Sequence, residues 1–253
     1  MTKDNVKIRK KYMRDVYAKG WITSREKKYK FLGYDNNLIE YITKNAEMVE
    51  GKILEVGIGT GYPFADTFQK KGYNVYGIDI SPLLINKCKR LYPDISCEVG
   101  DAENLPYKDN FFDVVYCFHS TWYFPDLRKA ISEMMRVVNH KGMIIFDIQN
   151  LNNELIYKGY SKILRRYNHR YYYYYPIHFI KNVINLLIGR KGISWKIVLY
   201  EVPTNPKTLY TYFRKLKINF IVMARNKDDS LKIVSNGDLL DSFPRLVFSI
   251  LNN

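Results

Sequence analysis

Ile53-Leu54-Glu55-Val56-Gly57-Ile58-Gly59-Thr60-Gly61 decides how the rest of the chain is read. An aliphatic, β-branched run meets one acid, and glycines then stand at every second position. The run reads as a buried strand and the glycines as a tight loop that opens a helix. Glycine accepts φ > 0 and lets a ligand reach bare main chain. Pro63 falls near the first turn of the next helix, where a missing N–H does no harm. Loop N–H groups and the helix N-terminus then point at one spot, favourable for a carboxylate or phosphate.

Working outward, strand and helix signals alternate. Strands are expected at Lys52–Val56, Asn74–Asp79, Ile95–Val99, Phe112–Phe118 and Met143–Ile148, and helices at Tyr62–Lys71, Ser81–Leu91 and Asp126–Val138. Such alternation predicts an α/β fold with a doubly wound, mostly parallel sheet. Its ligands should sit outside the carboxyl ends of the strands. Before this core, over residues 1–50, an amphipathic helix is expected at Ile8–Tyr17. A second is expected around Leu38, Ile39 and Ile42, with Asp35 or Asn36 as its cap. After residue 149 the rhythm changes. Residues 150–207 form a basic, tyrosine-rich insert with two helical patterns and one strand, Trp195–Tyr200. Residues 208–253 carry a last helix, Thr208–Leu216, and strands at Ile218–Met223 and Arg245–Ile250. The four stretches make one domain.

Two more acids share the place of Glu55. Asp79 ends the second strand, and Asp101 follows the third in Gly100-Asp101-Ala102-Glu103. An acid at the end of the second strand is placed to accept ribose hydroxyls. A dinucleotide fingerprint would put its third glycine at residue 62, which is Tyr62. The pattern Glu55-x-Gly57-x-Gly59-x-Gly61 instead resembles the first motif of the class I S-adenosylmethionine-dependent methyltransferases. Gly77-Ile78-Asp79-Ile80-Ser81-Pro82 resembles their second motif, and Phe111-Phe112-Asp113-Val114-Val115 their fourth strand. Arg136-Val137-Val138-Asn139-His140-Lys141-Gly142-Met143 resembles the turn before strand five, without its usual proline and second glycine. The resemblance covers 51–149 well and 208–251 loosely. It implies a seven-stranded Rossmann-like sheet with a reversed hairpin at one edge. It also implies S-adenosylmethionine as cofactor, held by Glu55, Gly57, Ile58, Gly59, Gly61, Asp79, Ile80, Asp101, Ala102 and Phe118. In that family Asp101 accepts from the adenine amino group.

The net charge of +15 is uneven: +5 over residues 1–50, −1 over 51–150 and +11 over 151–253. Basic flanks around a neutral core suit an anionic acceptor, a nucleic acid or a lipid headgroup, or are simply solvated lysines. Cys88, Cys97 and Cys117 make no CxxC pair, which fits a reducing, cytoplasmic setting. The charged start carries no leader pattern, and the stretch Ile177–Ile188 is too short and polar to span a bilayer. Its apolar residues, flanked by Lys181, Arg190 and Lys191, leave peripheral membrane contact open. No histidine spacing suggests a metal.

His119, just past strand four, faces the expected methyl donor and is the candidate catalytic group, able to orient or deprotonate an acceptor. Tyr157, Tyr160, Tyr167 and the run Tyr171–Tyr175 could line an acceptor cleft or simply pack. The sequence therefore points to methyl transfer onto a small polar acceptor, such as a sugar, sugar nucleotide or other metabolite. Residues 1–34 and 150–207 would form a lid over the cleft. An RNA methyltransferase and a non-catalytic cofactor-binding partner subunit are the alternatives.

Overall fold

The computed structural model describes residues 3–18, 22, 33–46, 51–154, 204–225, 230–234 and 237–252. The expected strand Trp195–Tyr200, the tyrosine run and the apolar stretch from Ile177 lie outside the described residues.

Eight strands form one sheet: β1 (Lys52–Val56), β2 (Asn74–Asp79), β3 (Ser96–Val99), β4 (Phe112–Cys117), β5 (Val138–Gln149), β6 (Phe220–Arg225), β7 (Leu231–Ile233) and β8 (Arg245–Leu251). Their order is β3-β2-β1-β4-β5-β8-β6-β7. Pairings among β1 to β5 are parallel. β8 enters between β5 and β6, antiparallel to both. The expectation of seven strands falls one short, because β7 adds an antiparallel edge strand of three residues beside β6.

Successive residues along each strand face opposite sides, and in the central strands both sides are dry, whereas the edge strands β3 and β7 are largely exposed. Val115 and Cys117 of β4 join one cluster with Ile131, Met134 and Val137. Those three lie on α5 (Leu127–Val137), whose buried residues recur at three- and four-residue steps. Asp126 caps α5 by accepting from the Lys129 N–H at 3.1 Å. Leu209 and Phe213 of α6 (Pro206–Lys215) close the same face. Val114 and Tyr116 of β4 look the other way, towards α2 (Gly33–Asn45), α3 (Phe64–Lys70) and α4 (Pro82–Leu91). Burial on both faces is why these strands read as continuous apolar runs rather than as alternation.

Three expectations are corrected. β5 starts at Val138 rather than Met143, because the polar stretch Asn139–Gly142 is tied to its neighbours. The Asn139 amide donates to Asp113 at 2.8 Å, and Phe112 pairs with Val138 across a bulge. The N-terminal helix, α1 (Lys3–Tyr12), begins earlier than Ile8 and runs into a wider π-turn, Met13–Tyr17. Asp35 is not a cap. It lies inside the first turn of α2, fully buried, and its carboxylate serves the site described next.

Candidate functional site

The carboxyl ends of β1, β2 and β4 open into one cavity of about 290 Å³, closed on one side by α1 and the π-turn through Lys10, Met13 and Tyr17. The glycine loop forms its floor. Gly57, Gly59 and Gly61 have φ of 83°, 58° and 89°. A β-carbon on Gly57 would come within 2.6 Å of Ser120 Oγ, and one on Gly61 within 2.8 Å of the Tyr92 ring. Around Gly59 there is open space, so its φ alone calls for glycine. Glu55, Gly57, Ile58, Gly59, Asp79, Ile80, Asp101, Ala102, Phe118 and His119 all line the cavity. Gly61 is the one predicted residue outside the wall; it packs underneath, against Tyr92 and Cys88.

The three acids differ in state. Glu55 is buried beneath the loop, and its carboxyl accepts from the Tyr116 hydroxyl at 2.8 Å. Burial pushes its pKa up to about 8, against the opposing pull of that hydrogen bond. Asp79 accepts from the Gly59 N–H at 3.1 Å and the Ser81 N–H at 2.9 Å, one to each oxygen. Desolvation still raises it to about 6. Each Asp79 oxygen keeps a lone pair, which is what a pair of vicinal hydroxyls needs. Asp101 accepts from the Glu103 N–H at 2.9 Å, and Lys10 Nζ bridges Asp101 and Glu103 at 2.6 Å each. Glu103 in turn accepts from the Asp126 N–H at 2.7 Å. α1 is thereby latched to the loop after β3.

On the opposite wall His119 sits at φ 57°, its N–H donating to Asp147 at 2.8 Å. A guanidinium can only donate, so the 2.8 Å contact from Arg245 Nη1 makes His119 Nδ1 the acceptor. Nε2 then carries the proton and donates to buried Asp35 at 2.9 Å. Both ring nitrogens are held by the protein. Arg245 also lies 3.8 Å from Asp147 and over the Trp122 ring at 5.1 Å. Buried Arg9 donates to the Trp122 carbonyl at 2.5 Å, and the hydroxyls of Tyr17 and Tyr123 meet at 2.6 Å. Among the described residues, no group of three or more His, Cys, Asp or Glu side chains could hold a metal ion.

Residues 54–146 match the family model described as a methyltransferase domain. They span the glycine loop, all three strand-end acids and His119. Over these residues the chain is similar to a methyltransferase domain. Demethylmenaquinone methyltransferase of Chlorobaculum parvum is 35% identical over 116 residues, which is 44% of this chain and 48% of that one. This chain thus spans about half the length of the curated relatives it matches. A solved S-adenosylmethionine-dependent methyltransferase from Thermotoga maritima shares the fold at a TM-score of 0.57 and 17% identity, over 98% of this chain and all of that one. Magnesium protoporphyrin IX methyltransferase from Synechocystis does so at 0.59 and 10%, over 98% and 99%.

The site draws on residues that the sequence motifs do not announce. Lys10 and Tyr17 come from α1 and the π-turn, Asp35 from α2 and Arg245 from β8, each far from the cavity in sequence. Arg245 had a topological signal. A strand running antiparallel to its neighbours begins where they end, so the first residue of β8 belongs at the cavity edge. Trp122, in the stretch that follows β4, carried no local signal.

Proposed function

We propose that the protein transfers a methyl group from S-adenosylmethionine to a small metabolite. The observation that carries this is the convergence of Glu55, Asp79 and Asp101 around the glycine loop in one cavity. The residues present suit the cofactor. Asp79 has lone pairs for ribose hydroxyls, Asp101 and the Ala102 N–H would take the adenine edge, and the loop amides would take the carboxylate. Glu55 would release its proton on gaining a bound ammonium as partner, since an opposite charge favours the carboxylate. The cofactor supplies a methyl group on an already activated sulfonium carbon. This chain's residues bind, align the acceptor and keep water out, which suffices when the electrophile needs no further activation.

His119 is here a positioning residue. With Nδ1 accepting from Arg245 and Nε2 donating to Asp35, it ties α2, β5 and β8 together behind the cavity. The aromatic wall of Phe64, Phe118, Trp122 and Tyr123 favours a metabolite with a flat or apolar face.

Calorimetry with S-adenosylmethionine, S-adenosylhomocysteine and NAD tests the cofactor, and preference for NAD would overturn the reading. Tritiated S-adenosylmethionine incubated with cell extract, then fractionated, tests the acceptor. Label is expected in the small-molecule fraction; label confined to RNA would favour the rival.

A further inference from the structure

We propose that Arg245 holds the methyl acceptor by an anionic oxygen, so that the acceptor is a flat molecule carrying a carboxylate or a phenolate. This rests on the methyltransferase reading above and deepens it.

Arg245 opens β8, and the antiparallel run of that strand sets it beside Gln149, at the carboxyl end of β5. From there its side chain reaches the cavity wall across from the glycine loop. Nη1 is fixed, 2.8 Å from His119 Nδ1 and 3.8 Å from Asp147. The guanidinium plane is held over Trp122. Among the described residues, no hydrogen bond uses Nε or Nη2. Those two N–H groups form one edge of the guanidinium fork, matched in spacing to a pair of carboxylate oxygens. The side chain is 26% exposed and lines the cavity.

The sign of the acceptor charge follows from what faces the cavity. Asp35 and Asp147 could attract a cation, but both are fully buried behind His119. Arg245 stands in front of them, and it is the charge an incoming molecule meets on this wall. A ring seated against Trp122 and Phe64 would bring an attached anionic oxygen to the Nε–Nη2 edge. The same guanidinium would hold a phenolate less geometrically, through one oxygen rather than two.

The test uses the full chain loaded with S-adenosylhomocysteine and ligand-observed NMR with benzoate, 4-nitrophenolate and benzamide as probes. The expected result is binding of at least one of the two anions and weaker binding of benzamide. Benzoate ahead of 4-nitrophenolate identifies the carboxylate class, and the reverse order the phenolate class. In Arg245→Met the anion affinity should fall by roughly tenfold, the scale of a lost charge-assisted contact, with partial recovery in Arg245→Lys. S-adenosylhomocysteine affinity should stay the same in both variants, which also certifies their folding. Should Arg245→Met misfold, Arg245→Lys alone decides, since it keeps the charge but loses the fork and should bind benzoate more weakly than wild type. Equal anion binding by wild type and the folded variants, a preference for benzamide, or no binding of any probe would overturn the proposal. Failure to bind S-adenosylhomocysteine would instead overturn the methyltransferase reading, and is seen separately.

Discussion

Glu55 and Asp79 both titrate above their ordinary range because burial penalises their charged forms. The folded chain therefore holds protons that the unfolded chain has already released. For Glu55 that window runs from the ordinary carboxylate range to about 8, and for Asp79 to about 6. Where the native state binds more protons, stability falls as pH rises. Thermal melts of the ligand-free protein should thus show Tm declining between roughly pH 5 and 8. Glu55→Gln keeps the shape without the titration. It should flatten that decline and exceed wild type by roughly 1–3 kcal/mol near pH 8.5. A parallel decline in both proteins would remove Glu55 as the cause. Affinity moves the other way at the neighbouring acid. Asp79→Ala should weaken S-adenosylmethionine by about tenfold or more in calorimetry, through lost charge-assisted hydrogen bonds. His119→Ala should cost roughly 1–3 kcal/mol in denaturant melts, since a buried carboxylate loses its donor. A shift within error would mean that Asp35 is held well enough by its other contacts.

Among the elements, α1 is the one that must yield to a ligand. It latches to the loop after β3 through Lys10, and to the stretch after β4 through Arg9. Lys10 and Asp101 keep part of their side chains in water, whereas Glu103 and Arg9 are buried. A bound nucleoside that adds contacts to the closed form should favour it further. Amide exchange over residues 3–18 is expected to slow on adding S-adenosylhomocysteine, more than in β4 or β5. Unchanged exchange there would assign α1 a purely structural part.

The core elements were legible because burial on both sheet faces writes unbroken apolar runs, and β1 and β2 match their expected ends residue for residue. β7 was not legible: it has three residues, with Lys232 and Ile233 exposed, and edge pairing needs no pattern. The cofactor half of the site could be read because its residues follow their strands at fixed local offsets. The other half is assembled from α1, α2 and β8, and contacts such as Asp35 to His119 span 84 positions. No local window carries that information.

For the molecule as a whole, Thr204 exchanges hydrogen bonds with Gln149 and Leu151 at 2.8 and 2.9 Å, so the described residues on the two sides of 155–203 meet at the end of β5. Replacing 155–203 with a short glycine-serine linker should leave the melt cooperative and S-adenosylhomocysteine binding nearly intact. Loss of both would make the segment part of the core. The position of β8 has a consequence in time. It fills the gap between β5 and β6, and every strand it touches precedes it in the chain. During synthesis β5 therefore waits with one bare edge until β8 has left the ribosome, and bare edges invite pairing with other chains. A newborn chain stalled after β7 would hold its whole glycine loop and all three acids, yet face the cell as an open sheet.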